Sequence, residues 1–243
     1  MSPRTTPAQF EPFETLLRNI HDQRITSWAE IELDFLDATS AFDTLYATGK
    51  KDKGWYQAKA RYFNDVLVAL ISSAVDQPVR ARSKKRSILF EKIDIDLCYP
   101  EIGDPVVCGE AKQLGAPPHP GNNLTGRPAN QDIHKRVREV ALTSMDIKAA
   151  HTGPRQIESF GHWVSTATPA YISFWALRAD TPQDLDSCRS ILYSLRNYCN
   201  QVGAFVYEPT TGATDYTVKH FRELSMDTAL NEFVQRSVSA ASR

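Results

Sequence analysis

The sequence has no excess charge of either sign: 28 Lys and Arg stand against 29 Asp and Glu, a formal net charge of -1. The chain as a whole therefore has no bulk attraction for a polyanion, and any such binding must come from locally clustered charge. Long apolar runs are also missing. The longest, Val66 to Val75, falls short of the roughly 20 residues that span a bilayer, so no membrane association is expected. The first residues, Met-Ser-Pro-Arg-Thr-Thr-Pro, lack the apolar core of a secretory leader. Cysteine is sparse: Cys98, Cys108, Cys188 and Cys199 contain no Cys-x-x-Cys pair, which argues against a disulfide framework. His119, His134, His151 and His162 do not sit at zinc-ligand spacing with them. Free thiols in a cytoplasmic protein are the expectation. Gly-x-Ser-x-Gly, Walker A and Gly-x-Gly-x-x-Gly are all absent, so no motif points to a serine-hydrolase elbow, a P-loop or a dinucleotide fold.

What is present supports a packed core. Hydrophobic residues make up 42% of the 243 and charged residues 23%, values of an ordinary globular chain. That length suits one sizeable domain, or a core domain with an appended helical region. Apolar residues at helical spacing predict helices from Ala8 to about Ile25, Ser27 to about Thr48 and Trp55 to Val75. Ser27 with Glu30 three residues later has the pattern of a capping box. Gly49-Lys-Lys-Asp-Lys-Gly54 breaks the chain, and suggests a helical region over 1–54 followed by a main domain over 55–243.

Strand patterns follow. Val79 to Arg82 reads as a short strand, and Ser87 to Tyr99 alternates, with Leu89, Ile93, Ile95 and Leu97 on one face and Phe90, Lys92, Asp94, Asp96 and Cys98 on the other. Pro100 to Asp104 is turn-like, and Val106 to Lys112 completes an antiparallel hairpin. After a loop over Gln113 to Asn130 come a helix (Gln131 to Ala150), a strand (Ala170 to Arg178), a helix with Pro182 in its first turn (to Val202), strands at Ala204 to Tyr207 and Tyr216 to Lys219, and a helix from Met226 to Ser237. Helices before, between and after strands predict a mixed α/β sandwich.

The hairpin carries the candidate chemistry. Glu110 and Lys112, two residues apart, share one strand face, as do Asp94 and Asp96 on the partner. Folding about Ile102 and Gly103 sets the aspartates opposite positions 108 to 112, where cross-strand Cβ atoms lie about 5 Å apart. Converging carboxylates on a sheet face are costly, and a hard divalent cation offsets that cost, since Mg²⁺ takes oxygen ligands and keeps several waters. Mg²⁺, or Mn²⁺ in its place, is therefore the expected cofactor, with Asp94 or Asp96 and Glu110 as ligands. A cation held so can polarise a phosphoryl oxygen, while Lys112 orients or helps deprotonate water, or stabilises transition-state charge.

The pattern Asp94-Ile-Asp96, a turn, then Val106-Val-Cys-Gly-Glu110-Ala-Lys112 resembles the PD-(D/E)xK nuclease superfamily, which includes many type II restriction endonucleases. In that family an Asp on one strand and Glu-x-Lys on the next bind metal and activate water. Ile stands before Asp94 where the family often has Pro. Two aspartates compete for one family position, with Asp96 favoured by its distance to the turn. The resemblance implies a restriction-endonuclease-like α/β/α sandwich with a central mixed sheet after N-terminal helices. It also implies a metal-dependent endonuclease acting on double-stranded DNA, in restriction or defence, with a homodimer common for such enzymes. Asn64 or Asp65 could add a polar group from the preceding helix. The alternatives are a non-catalytic nucleic-acid-binding protein on the same scaffold, and a repair or recombination nuclease.

Candidate DNA contacts are the basic cluster Arg82, Lys84, Lys85 and Arg86 leading into the Asp strand, and Gln113, His119 and Arg127 in the loop leaving Lys112. The loop, with Asn122 and Asn123, is of a length usually associated with function. Gln131, Lys135 and Arg138 follow on the polar side of the next helix, where a basic face can hold phosphates.

Overall fold

The computed structural model describes the backbone of residues 10–51, 53–75, 79–86, 92–100, 105–121, 126–152, 168–210 and 212–241. Helices α1 (Glu11–Gln23), α2 (Glu32–Ala47) and α3 (Lys53–Val75) precede strands β1 (Arg80–Arg86), β2 (Lys92–Tyr99) and β3 (Val107–Leu114). Then come α4 (Asn130–Thr152), β4 (Ala170–Arg178), α5 (Pro182–Leu195), β5 (Gln201–Pro209), β6 (Tyr216–Lys219) and α6 (Met226–Ala241). The strands form one six-stranded mixed sheet in sequence order. β1 pairs antiparallel with β2 and β2 with β3, the β3, β4 and β5 strands are parallel, and β6 closes the edge antiparallel to β5. The parallel pairs need crossovers, which α4 and α5 supply.

Helices cover both faces, as an α/β sandwich requires. α1, α2, α3 and α6 share a core with Leu97, Val107, Ala111, Ile172, Phe174, Phe205 and Tyr207. α4 and α5 pack on Ile95, Cys108, Tyr171, Trp175, Val202 and Val206. β4 is buried at every position, which explains its near-continuous apolar run, since a central parallel strand is covered on both sides. Close strand spacing shapes β3 as well: a Cβ on Gly109 would lie 2.8 Å from the Ile172 carbonyl oxygen, so glycine is required beside Glu110. Among the described residues no helix is long and apolar enough to cross a membrane.

The helices of region 1–54 do not build a core of their own. The Trp28 and Phe35 rings lie 5.2 and 5.6 Å from that of Phe205 on β5. Asp227, in the first turn of α6, accepts hydrogen bonds from Ser27 Oγ and from the backbone N–H of Trp28 and Ala29. Ser27 is thereby drawn away from capping: α2 begins at Glu32 after Ile31, and the capping-box expectation gives way to this distant carboxylate. Deeper, Lys59 on α3 and Asp43 on α2 form an ion pair that is almost wholly excluded from water, with Nζ 2.8 Å from both carboxylate oxygens. Tyr207 and Tyr216 complete the cluster, Nζ lying 3.3 Å from the Tyr207 hydroxyl and the Tyr216 hydroxyl donating to Asp43 Oδ2.

Two other boundaries differ from the sequence pattern. β1 extends to Arg86, and the stretch from Ser87 to Glu91, including Leu89 and Phe90, lies outside the described residues. α5 stops at Leu195 rather than near Val202. Leu185, Cys188, Leu192, Leu195 and Cys199 keep helical spacing past the true end. There the N–H groups of Tyr198 and Cys199 turn back to the Leu195 carbonyl, and the chain enters parallel pairing with β4 at Gln201.

Candidate active site

The site forms where β2 parts from β3. The two strands pair over Leu97–Gly109, Cys98–Cys108 and Tyr99–Val107, and pairing stops at the next residue, Asp96. An unpaired strand N–H that is shielded from water needs an acceptor. The Asp96 side chain supplies it, with Oδ2 accepting from the backbone N–H of Ala111 at 3.0 Å. The strict alternation expected along this strand also fails here: Ile95 is buried in the α4/α5 core and Leu97 in the opposite one. This break separates the two candidate aspartates. Asp96 is brought to Lys112, while Asp94 is exposed, its backbone paired with that of Lys84 on the edge strand.

β3 presents Glu110 and Lys112 on the α4/α5 face. Lys112 Nζ donates to Glu110 Oε1 at 2.9 Å and lies 3.7 Å from Asp96 Oδ2. The remaining Glu110 oxygen, Oε2, accepts from the Tyr171 hydroxyl at 2.9 Å. Tyr171 comes from β4, paired through its backbone with Cys108. Its phenol is buried, and its backbone is clamped by Asn200, whose Oδ1 accepts from Tyr171 N and whose N–H donates to Tyr171 O.

Burial and neighbouring charge set the ionisation. Burial pushes the Glu110 carboxyl above its usual range, and Asp96 adds to this, while Lys112 and Tyr171 pull the other way. Burial opposes the charge on Lys112, yet Glu110 and Asp96 together outweigh it and raise the ammonium pKa. Arg136 on α4 acts on Lys112 in the opposite sense. Tyr171 is held well above the usual phenol value, first by burial and then by Glu110, so it remains a donor. Two carboxyl groups thus meet one ammonium where β2 parts from β3.

Among the described residues no three His, Cys, Asp or Glu side chains are grouped as metal ligands. Asp96 and Glu110 are therefore a two-carboxylate set, and that is what Mg²⁺ commonly takes from a protein when water and a phosphate complete its shell. Asp96 Oδ1 makes no hydrogen bond among the described residues. Each carboxylate oxygen carries two lone-pair positions, so Glu110 keeps capacity beyond its two donors. The donor chemistry fits a hard divalent cation held by Asp96 and Glu110.

The other candidates disperse. Gln113 shares the parity of Ala111 and faces the opposite core, beside Tyr207 but without hydrogen-bond geometry. His119 is buried. Gly121 N–H donates to its Nδ1, so Nε2 carries the proton and lies 3.1 Å from the Lys51 carbonyl, with the ring 4.5 Å from that of Tyr46. It anchors the loop to α2 rather than presenting a free donor. Arg127 is half exposed, bonds Asp132, and has its backbone bridged to Ala116. Gln131, Lys135 and Arg138 are exposed on α4. Arg82, Lys84, Lys85 and Arg86 lie on edge strand β1, but their side chains fall outside the described residues, as do Asn122 and Asn123. Asn64 on α3 is buried with both amide atoms lacking hydrogen bonds among the described residues, and the structure does not link it to Glu110.

Two neighbours of the site, Tyr171 and Arg136, were not among the candidate site residues read from the sequence, although Arg136 belongs to a basic cluster with His134, Lys135 and Arg138. Tyr171 reads as one aromatic in an apolar strand. The available signal was its spacing from Ser173, which puts two hydroxyls on one face of an otherwise apolar run. Arg136, among the α4 cations, is the one whose charge is felt at Lys112. No family model, curated protein or solved structure matches the chain.

Proposed function

We propose that the protein is a divalent-metal-dependent endonuclease that hydrolyses phosphodiester bonds in double-stranded DNA, a restriction or defence enzyme of the PD-(D/E)xK kind. The observation that carries this reading is the convergence of Asp96, Glu110 and Lys112 where β2 parts from β3, within 4 Å of one ammonium group. The order of buried helix, three antiparallel strands, helix and parallel strand supports the finer description of the fold as restriction-endonuclease-like.

In this mechanism Asp96 and Glu110 would hold Mg²⁺ or Mn²⁺. The cation supplies Lewis acidity toward the scissile phosphoryl group when bound. Lys112, 2.9 Å from Glu110 Oε1 and 3.7 Å from Asp96 Oδ2, lies where its ammonium would contribute positive charge toward the phosphorane-like transition state. Tyr171 and Lys112 grip opposite oxygens of Glu110 and fix its plane. Exposed Lys135 and Arg138, with Arg136 between them, offer α4 as a phosphate-binding face. A homodimer would present two such sites to the two DNA strands.

A second reading, a DNA-binding protein without catalysis, is favoured by one observation: both Glu110 oxygens are already satisfied by protein donors. One assay separates the two. Purified protein is incubated with supercoiled plasmid and linear duplex in Mg²⁺, Mn²⁺ or EDTA, beside Glu110→Ala and Lys112→Ala. Metal-dependent cleavage that falls about 100-fold or more in both variants supports the nuclease. Equal cleavage by all three proteins defeats the site, and binding without cleavage by wild type favours the second reading.

A further inference from the structure

Building on the metal-site reading above, we infer that Tyr171 is a positioning residue that holds Glu110 in its metal-ligating orientation. The phenol is fully buried, and its hydroxyl donates to Glu110 Oε2 at 2.9 Å from a neighbouring parallel strand. A buried hydroxyl without an acceptor is costly, and so is a buried carboxylate oxygen without a donor, so each enforces the other. Lys112 alone could hold Glu110 Oε1 at 2.9 Å through a flexible side chain. Tyr171 instead has a rigid ring packed in the α4/α5 core beside Cys108, and its backbone is fixed on both sides by Asn200. The rigid donor sets the carboxylate plane from one side, and Lys112 holds the other oxygen. Groups that orient metal ligands from behind commonly account for about 10 to 100-fold in metal affinity or activity.

The test uses the full chain and Mn²⁺ alone, titrated by calorimetry and by the electron paramagnetic resonance of free Mn²⁺, together with plasmid cleavage. Tyr171→Phe keeps the ring and its packing. The expected results are Mn²⁺ binding weakened about 10-fold and kcat reduced with KM for DNA unchanged. In a Glu110→Gln background, the added Tyr171→Phe change should weaken Mn²⁺ binding no further. If Tyr171→Phe does not fold, Asn200→Ala, which loosens the Tyr171 backbone, is expected to weaken Mn²⁺ binding in the same direction, and unchanged binding overturns the inference. Wild-type Mn²⁺ affinity in Tyr171→Phe overturns it while leaving the nuclease reading standing. An undiminished effect of Tyr171→Phe in the Glu110→Gln background also overturns it, since that marks a purely structural role. A wild-type protein that binds no Mn²⁺ and cuts no DNA overturns both.

Discussion

Lys59 and Asp43 face each other inside the protein at 2.8 Å, with 1% and 0% of their side chains exposed. They join α3 to α2 beneath the end of β5, with Tyr216 from β6 donating to the same carboxylate. Neither charge has water to fall back on. Removing one partner of such a pair typically costs about 3–5 kcal/mol, because the other is left buried and uncompensated. Lys59→Met is expected to destabilise by that amount in urea unfolding. Lys59→Met with Asp43→Leu should recover much of the loss. A Lys59→Met protein as stable as wild type would show that the pair is solvated in solution.

The separation of Asp96 from Asp94 gives a functional test. Asp96→Asn should cut Mg²⁺-dependent cleavage by about 100-fold or more, while Asp94→Asn, altering an exposed side chain, should stay close to wild type. Steady-state cleavage rates for the two variants decide this. A larger loss in Asp94→Asn would mean that β2 shifts register when DNA binds.

The α4 cations should act through salt. Removing one cation that neutralises a phosphate lowers the dependence of log affinity on log salt by about 1. Arg136→Ala and Arg138→Ala are each expected to reduce that slope and weaken binding alike on unrelated duplexes, as read by fluorescence anisotropy at several salt concentrations. An unchanged slope in both would remove α4 from the DNA surface.

The thiols offer a pH-dependent test independent of any activity. Burial, helped by the Asp184 charge, pushes Cys188 up to about 12 from 9.0. Burial likewise pushes Cys199 up to about 11. A thiol whose folded pKa lies above its unfolded value stabilises the fold fully below the unfolded value. That contribution is lost as pH rises through the folded pKa. Stability should therefore fall from pH 9 toward 11, and less so in Cys188→Ala than in wild type. Because the thiolate is the nucleophile, neither cysteine should react with iodoacetamide in the native protein at pH 8, while both should react after unfolding. Rapid native labelling at Cys188 would contradict its burial.

Much of the architecture was legible in local pattern. Helical spacing located α1, α3, α4 and α6 to within a few residues, and the apolar run of β4 marked a doubly covered strand. The expected antiparallel pairing of the two strands is present, with Leu97 facing Gly109 and Tyr99 facing Val107. The errors arose where a distant partner outweighed a local preference. Ser27 left its capping role for Asp227, and α5 ended early because β5 had to pair with β4.

The candidate site divides in the same way. Glu110 and Lys112 were determined by sequence, because two residues of one parity on a strand share a face whatever surrounds them. Distance to the turn favoured Asp96 over Asp94, but their separation depends on β2 parting from β3 at one residue and on Ala111 N–H taking a side-chain acceptor in place of a strand partner. The contact of Tyr171 with Glu110 was likewise a tertiary matter, since the acceptor lies on another strand, 61 residues earlier. Periodicity determines which way a side chain points from its own element. Only packing decides which element it meets, and that encounter sets the hydrogen bonds, burial and charge on which chemistry depends.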